Sequence, residues 1–376
     1  MAKSSKHLWL ETPLLYSTHL SELLGASVHL KLENLQPSYS FKYRGISLFI
    51  QRKWEELGDD VHFAIASGGN AGLAAACAAK RFGLRCTVFI PEGVSPSTLA
   101  LLKQEKAEIV VHGKVFAEAS KAAIEFAESN PNAVAVHPYN DPIVWEGHGS
   151  MIKEIEGQLG KKPDAIFCSV GGGGLLGGVL GGCQIVGWDD VPIVAVETIG
   201  SDCFYHSMSL NRGRFNSTTK VLPPGVDLVH DSQNDVYMAH FSKFDSMASG
   251  SLGASQPAEV ILKRALDWRG GVKSISVPDA ISMESLVQFA DNQKLLVELS
   301  CATTLVPAYH KPLFDKLVPA KSPGAERTVV FIVCGGFKIS LPEAEEYQRL
   351  LENEPKGPGV SWSIKYDDGT LFMFPK

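Results

Sequence analysis

A lysine set among aromatic and hydroxyl side chains is the residue of this sequence best suited to covalent chemistry. Lys42 lies in residues 38–45 (SYSFKYRG), between a predicted turn and a predicted helix. A lysine becomes a nucleophile only when its ammonium loses its proton, and a partly apolar pocket favours this loss because desolvation penalises the charged form. Lys42 is therefore a candidate for Schiff-base chemistry. Most lysines are solvated surface residues, so the rest of the chain must decide between the two interpretations.

A run of glycines further along the chain could bind an anion. Residues 169–178 (SVGGGGLLGG) follow a hydrophobic predicted strand and open a predicted helix. Unblocked backbone N–H groups and the positive end of a helix can converge on a phosphate there. Close helix packing through glycines is the structural alternative, and it involves Gly177, Gly178, Gly181 and Gly182. A dinucleotide site is the mechanistic competitor, with Asp189, Asp190 or Glu197 near the ribose position, but it leaves Lys42 without a role.

Two further features could line the same site. Residues 67–72 (SGGNAG) form a second glycine turn at a predicted helix start, which suits a carboxylate, with Asn70 able to hydrogen-bond a neighbouring oxygen. A plain N-cap motif is the alternative there. Cys334 ends the last predicted strand, and the carboxyl ends of strands face the ligand crevice in α/β sheets. Cys334 could touch a cofactor, or it could be an inert buried side chain.

The predicted elements that must position these residues alternate between strand and helix. Such alternation indicates parallel sheets with right-handed crossovers. We expect an α/β fold with two open, mostly parallel twisted sheets, one per domain, flanked by helices and with a cofactor in the cleft between them. The expected large domain comprises residues 1–35 and 141–345, and the small domain residues 36–140. Residues 346–376 are expected to be a polar tail, mobile or an oligomer arm, and residues 201–255 show no clear elements.

Composition narrows the class of protein. The chain has 376 residues, 45% hydrophobic and 20% charged, which is ordinary globular composition. A net charge of −6 argues against a nucleic-acid or anionic-membrane partner and favours a small molecule. The first ten residues lack the apolar run of a signal peptide, so we expect a cytoplasmic protein. Seven cysteines without a CxxC pair are expected to be reduced thiols, and no zinc site is expected.

Taken together, the motifs resemble those of the L-serine/L-threonine dehydratases, which are pyridoxal phosphate enzymes of the tryptophan-synthase-β fold. The matching motifs are SFK-x-RG at 40–45, SGGNAG at 67–72, WEGH at 145–148, SVGGGGL at 169–175 and VCGG at 333–336. They occur in the family order across about residues 11 to 340, and only the C-terminal tail falls outside.

The resemblance implies a role for each matched residue. Lys42 would hold the cofactor as a Schiff base, with Phe41 beside the ring. The phosphate would bind Gly171, Gly172, Gly173 and Gly174. Asn70 would contact the phenolic oxygen and Cys334 the pyridine nitrogen. The substrate carboxylate would bind Ser67, Gly68 and Gly69. A monovalent cation such as potassium would bind at Glu197, Ser201, Leu252 and Ala254, mostly through backbone oxygens.

The implied activity is dehydration and deamination of L-serine or L-threonine to pyruvate or 2-oxobutanoate plus ammonia, by a homodimer. A thiol such as Cys334 would not protonate the ring nitrogen strongly, which favours elimination over transamination. A racemase needs a second acid/base on the opposite face, and relatives place a serine where this chain has Gly68. A β-replacement enzyme, a racemase and a non-catalytic cofactor or metabolite binder remain alternatives.

The sequence departs from the family pattern at three places. Tyr39 stands where the family usually has glycine, residues 299–304 (LSCATT) replace a PACGAA pattern, and Phe337 and Lys338 replace a Ser-Asn pair. Larger side chains such as Tyr39 and Thr303 could narrow the pocket, so the natural substrate could differ from free serine. Neutral repacking is the alternative.

Overall fold

The computed structural model describes residues 7–211, 222–322, 324–355 and 357–376. Residues 1–6, 212–221, 323 and 356 lie outside the described residues, and residues 212–221 belong to the segment without clear predicted elements. The helices are α1 (Thr18–Leu24), α2 (Lys42–Leu57), α3 (Asn70–Phe82), α4 (Pro96–Gln104), α5 (Phe116–Ser129), α6 (Pro142–Leu159), α7 (Gly174–Ile185), α8 (Cys203–Asn211), α9 (Ser249–Leu252), α10 (Glu259–Leu266), α11 (Asp279–Gln293), α12 (Leu299–Ala302), α13 (Val306–Tyr309), α14 (Lys311–Leu317) and α15 (Leu341–Glu352). The strands are β1 (Leu14–Tyr16), β2 (Ser27–Leu32), β3 (His62–Ala66), β4 (Arg85–Ile90), β5 (Glu108–Val111), β6 (Ala133–Ala135), β7 (Ala165–Ser169), β8 (Ile193–Thr198), β9 (Val226–Asp231), β10 (Val236–Phe241), β11 (Val272–Val277), β12 (Thr328–Val333), β13 (Ser361–Lys365) and β14 (Leu371–Pro375).

The smaller parallel sheet carries the turn at 67–72. Its order is β5-β4-β3-β6, and each neighbouring pair is parallel. All of β3 is buried, as expected for a strand covered on both faces. The alanine-rich α3 follows, and it ends at Gly83, which has a φ of 74° in the left-handed region. The carboxyl end of β3 therefore delivers residues 67–69 directly to the first turn of α3.

The larger sheet carries the glycine run and Cys334. Its order is β1-β2-β12-β7-β8-β11-β13-β14, and the five strands from β2 to β11 run parallel. Strands β7, β8 and β12 are buried throughout, which explains their continuous apolar sequences. Edge strand β1 is antiparallel to its neighbour, as are β13 and β14. The predicted fold class, an α/β fold with two mostly parallel sheets, is confirmed. The domain boundaries stay a prediction.

Helices α2 and α6 cross at very short range, and this contact positions Lys42. A Cβ added to Gly45 would lie 2.3 Å from the Val144 carbonyl oxygen. A Cβ added to Gly147 would lie 2.6 Å from the Gly45 Cα. Between the two helices, the Gly45 N–H donates to His148 Nδ1 over 3.2 Å. The glycines and the histidine of two sequence motifs therefore fix the start of α2 against α6.

The C-terminal segment differs from the expected polar tail. Strand β13 pairs with β11 and with β14, so the interpretation as a mobile tail is wrong for residues 361–375. The physical reason is side-chain alternation, because Trp362, Ile364 and Phe374 are buried while their neighbours are not. Part of the segment without clear elements also has regular structure, with β9 and β10 forming an antiparallel hairpin beside α8.

Among the described residues, none of the helices has both the length and the apolar character needed to span a lipid bilayer.

Candidate active site

Lys42 is the first residue of α2, and the chain before it is tied to the end of β12. Ser40 forms an antiparallel bridge with Gly335. The Phe41 N–H donates to the Cys334 carbonyl oxygen over 3.0 Å. The structure thus brings Cys334 next to Phe41 and Lys42, although almost 300 residues separate them in the sequence. The sequence motifs predict that these three residues share one site.

The amine of Lys42 is held in a setting that favours its neutral form. Its Nζ donates to the Pro138 carbonyl oxygen over 2.7 Å and lies 5.2 Å from the centre of the Phe41 ring. Burial lowers the pKa of Lys42 to about 8, although the Cys334 thiol opposes the shift. The positive end of α2 acts in the same direction. Lys42 is only partly buried by exposed area, so its neutral amine can meet a ligand in the cleft.

The four glycines after β7 form an open cradle. Among the described residues, the N–H groups of Gly171, Gly172, Gly173 and Gly174 make no hydrogen bond. A Cβ added to Gly172 would lie 2.5 Å from the Tyr139 ring, and one added to Gly171 would lie 2.6 Å from the Leu252 carbonyl oxygen. Unpaired donors at the start of α7, with no room for side chains, fit a bound phosphate.

The packing interpretation holds for the later glycines. A Cβ on Gly178 would lie 2.4 Å from His148, and one on Gly182 would lie 2.6 Å from the Gly149 carbonyl oxygen. A Cβ on Gly177 would lie 2.7 Å from Ile261. Gly181 is different, because nothing lies within 4 Å of its added Cβ. The glycine run therefore serves two purposes, with a cradle at 171–174 and close packing at 177, 178 and 182.

We expect Gly172→Ala to weaken cofactor binding while Gly181→Ala leaves it unchanged. The added methyl at Gly172 must displace the Tyr139 ring, whereas the methyl at Gly181 enters open space. The dissociation constant of pyridoxal phosphate, titrated against the cofactor-free protein, should rise about tenfold or more for Gly172→Ala, because overpacking costs typically 1–3 kcal/mol. Equal cofactor affinity in both variants would contradict the prediction that residues 171–174 bind the phosphate.

Cys334 occupies the end of β12 beside the glycine run. Its side chain is buried, and its Sγ lies 3.5 Å from Ser169 Oγ at the end of β7. A second thiol is close, because the Gly335 N–H donates to Cys301 Sγ over 3.3 Å. The role of Cys334 in cofactor binding stays a prediction.

Asn70 and the turn before it lie at the opposite side of the cleft. The N–H groups of Gly68, Asn70 and Ala71 make no hydrogen bond within the described chain, while the Gly69 N–H donates to Ser67 Oγ over 3.2 Å. Asn70 Nδ2 donates to the Glu298 carboxylate over 3.1 Å, and its Oδ1 accepts from the Phe337 N–H over 3.2 Å. This turn keeps donors for an anion, and Asn70 ties it to the loop after β12.

Sequence reasoning missed two residues of this arrangement. Glu298 accepts hydrogen bonds from Asn70, from Ser251 Oγ over 2.6 Å and from the Lys338 N–H over 2.7 Å. Tyr139 lies against the glycine cradle, and its carbonyl oxygen accepts from Trp145 Nε1 over 2.6 Å. Neither residue belongs to a glycine turn or to a strand end, so only long-range contacts reveal them.

Each of the four expected cation positions has a different local environment in the structure. The Glu197 carboxylate accepts from the N–H groups of Phe204 and Tyr205 over 3.0 and 2.6 Å, and burial raises its pKa well above the usual value. Ser201 Oγ is buried and has no hydrogen-bond partner within the described chain. The Leu252 carbonyl oxygen lies beside Gly171, and Ala254 packs against a buried cluster. Their role as cation ligands stays a prediction.

Two of the three departures from the family pattern contact the site, since Ser300 donates to the Glu298 carboxylate over 3.0 Å and Lys338 lies at the turn at 67–70. Tyr39 has a φ of 63° and a side chain that is 51% exposed, so its backbone takes the left-handed conformation that favours glycine. Thr303 is buried and donates to the Leu299 carbonyl oxygen over 2.9 Å, and its Oγ1 lies 3.1 Å from Ser282 Oγ on α11. Lys338, in contrast, extends its ammonium to the turn at 67–70.

The fold and the site together define a class of protein: an enzyme of two mostly parallel sheets with a partly buried amine, a phosphate cradle and a carboxylate turn. The sequence model of the family described as "Pyridoxal-phosphate dependent enzyme" matches residues 6–335. The human protein named L-serine dehydratase/L-threonine deaminase is 35% identical over 348 residues, 93% of this chain and 97% of that protein. The mouse protein named Serine dehydratase-like is 37% identical and covers 89% of this chain and 92% of its own length.

A solved structure shows the same architecture. The fungal L-serine ammonia-lyase from Rhizomucor miehei is 30% identical and superposes with a TM-score of 0.79, covering 92% of this chain and 99% of that one. The chain belongs to the pyridoxal-phosphate dependent enzyme family. Its cofactor is therefore pyridoxal phosphate, and the unpaired N–H groups of Gly171 to Gly174 and the poised amine of Lys42 fit that group.

Proposed function

We propose that this chain is a lyase that dehydrates and deaminates L-serine or L-threonine to a 2-oxo acid and ammonia. The observation that carries the proposal is the neutral-prone amine of Lys42, placed in one cleft with a phosphate cradle and a carboxylate turn. The names of the relatives at 35% identity over most of the chain support the same activity.

Bound pyridoxal phosphate supplies an electron sink for charge that develops at the Cα of an attached amino acid. The chain must then handle protons and hold the substrate. Lys42, with a pKa lowered to about 8 by burial, can accept the Cα proton as a general base near neutral pH. The Pro138 carbonyl oxygen, 2.7 Å from Nζ, fixes the position of that amine.

Substrate binding falls to the turn at the start of α3. The unpaired N–H groups of Gly68, Asn70 and Ala71 and the positive helix end can hold the substrate carboxylate, with Ser67 beside them. Asn70 is oriented by the Glu298 carboxylate and the Phe337 N–H, and the resemblance implies that it would contact the phenolic oxygen of the cofactor. At the other end, Cys334 offers a thiol and not a carboxylate to the ring nitrogen, which supports elimination over transamination.

We also propose the finer features that the resemblance implies. Lys42 would carry the cofactor as a Schiff base, Phe41 would flank the ring, and a monovalent cation such as potassium would bind near Glu197. The assembly would be a homodimer, supported by the family resemblance. We also propose a cytoplasmic location. The net charge of −6 supports the absence of nucleic-acid and membrane partners.

A substrate panel tests the proposal. The purified protein, loaded with pyridoxal phosphate, should release 2-oxo acid and ammonia in equal amounts from at least one β-hydroxy amino acid. Chiral analysis of recovered serine separates the racemase alternative, since an enzyme that produces D-serine is not a pure dehydratase. In reactions with an added thiol, a product amino acid in which the thiol sulfur replaces the β-hydroxyl would indicate β-replacement. Bound cofactor without turnover of any panel member would contradict the lyase and favour a non-catalytic binder.

A further inference from the structure

Lys338 places a positive charge at the carboxylate turn. Its Nζ lies 3.2 Å from the position that a Cβ on Gly69 would take, and Gly69 precedes the first residue of α3. The ammonium donates to the Gly250 carbonyl oxygen over 3.2 Å, and that oxygen lies 3.8 Å from the same Cβ position. The backbone of Lys338 is fixed as well, because its N–H donates to Glu298 over 2.7 Å.

This ammonium is short of partners. It has three N–H donors, and within the described chain only the Gly250 carbonyl oxygen accepts from it. Lys338 is partly buried, and burial lowers its pKa although the nearby Glu298 carboxylate opposes the shift. A partly desolvated cation that meets a single neutral acceptor is stabilised by an anion in the cleft.

The α-carboxylate of the substrate does not need this charge. The turn at 67–72 already offers unpaired N–H groups at Gly68, Asn70 and Ala71 within the described chain. Lys338 stands where the resemblance leads one to expect a neutral asparagine. The lysine is therefore an addition to a complete carboxylate site, and its charge is available for a second anionic group.

We propose that Lys338 is a specificity-determining residue that binds a carboxylate on the substrate side chain, so that the preferred substrate is a β-hydroxy amino acid with two carboxylates. This inference rests on the proposed lyase function. For 3-hydroxyaspartate, the Cα–H and Cβ–O bonds break and water leaves. Water then adds at Cα as ammonia departs, which gives oxaloacetate and ammonia without any oxidant or reductant.

The kinetic test compares 3-hydroxy-L-aspartate, as both diastereomers, with L-serine. We expect the wild-type protein to have the higher kcat/KM for 3-hydroxyaspartate. In Lys338→Asn this preference should fall about tenfold or more, mainly through KM, because hydrogen bonds to charged groups contribute about 1.5–3 kcal/mol. Lys338→Arg should keep most of it. Lys311→Asn, which changes an exposed lysine at the start of α14, is the matched control and should leave the ratio unchanged.

A binding measurement without turnover completes the test. L-Aspartate and L-alanine lack a β-hydroxyl, so neither can be dehydrated. Calorimetry should show tighter binding of aspartate than of alanine to the wild-type protein, and this difference should disappear in Lys338→Asn. Equal weakening of both ligands in Lys338→Asn would assign the lysine to the α-carboxylate and overturn the inference, as would no change for either. If the enzyme forms oxo acid from serine but does not prefer dicarboxylate substrates, only this inference is wrong. If it forms no oxo acid from any substrate, the proposed function is wrong as well.

Discussion

Lys42→Ala is expected to lower 2-oxo acid formation by about 1,000-fold or more, since a positioned general base contributes about 10²–10⁴-fold and the same amine would also hold the cofactor. The loaded variant should lack the visible absorbance that depends on a lysine-bound cofactor. The assay is ammonia release together with an absorption spectrum. Lys53→Ala is the control, because Lys53 lies on the same helix but pairs with Glu56 at the surface.

The same residue should set a pH dependence. Only the neutral amine attacks an aldehyde, and burial lowers the pKa of Lys42 to about 8. The rate at which cofactor-free protein gains visible absorbance with pyridoxal phosphate should therefore rise with pH and level off above about pH 8. An ordinary lysine, with its pKa near 10.4, would give a rate that still climbs at pH 9. If Lys42→Ala kept an activity within tenfold of the wild-type value, Lys42 would not be the general base.

The sequence predicts the parts of the fold whose signals are local. Strands β7, β8 and β12 are buried on both faces, so each appears as a continuous apolar run. Helix α4 begins with Ser95 as N-cap and Pro96 as its first residue, which is a signal that the sequence states directly. The two glycine turns lie at the carboxyl ends of β3 and β7, one in each sheet, so the sequence places each of them at the ligand-facing edge of its own sheet.

Parts of the site that depend on distant contacts escape such reasoning. Glu298 is an ordinary glutamate in the sequence, and it becomes a central acceptor only because Asn70 and Lys338 come to it from the two sheets. Tyr139 lies in a loop whose position is set by Trp145. Buried and partly exposed side chains alternate along strand β13, as in a strand with one face on the core. The proline and glycine residues before it nevertheless favour the prediction of irregular structure.

Arg44 shows why the lysine motif extends beyond the lysine. Its side chain is fully buried and bonds Glu33 through Nε over 2.6 Å and Glu154 through Nη1 over 2.6 Å. Lys31, also fully buried, shares Glu154 over 2.6 Å. These four charges join β2, α2 and α6 behind the site. Burial raises the pKa of Glu154, but hydrogen bonds from Arg44 and Lys31 outweigh it and leave the pKa below its usual value.

Arg44→Ala is expected to destabilise the protein by about 3–5 kcal/mol, because removing one partner leaves buried charges uncompensated. Urea unfolding of the loaded protein measures the loss. Adding Glu33→Gln should recover part of it, since that change removes one stranded negative charge. Arg52→Ala is the matched control on the same helix, where the Arg52 and Glu146 side chains are 41% and 52% exposed, and it should cost no more than about 1 kcal/mol.

The pH dependence of that loss is a second measurement on the same variant. A carboxylate with a lowered pKa stabilises the folded state above its ordinary pKa, and this contribution disappears as the pH falls through the lowered value. In Arg44→Ala the pKa of Glu154 loses its largest opposing partner and moves up. The difference in unfolding free energy between wild type and variant should therefore be full at pH 7 and shrink toward pH 3. An unfolding free-energy difference that is constant over this pH range would contradict an electrostatic role for Arg44. So would a difference no larger than that of Arg52→Ala. Packing of its apolar stem would then be the reason for its place beside Lys42.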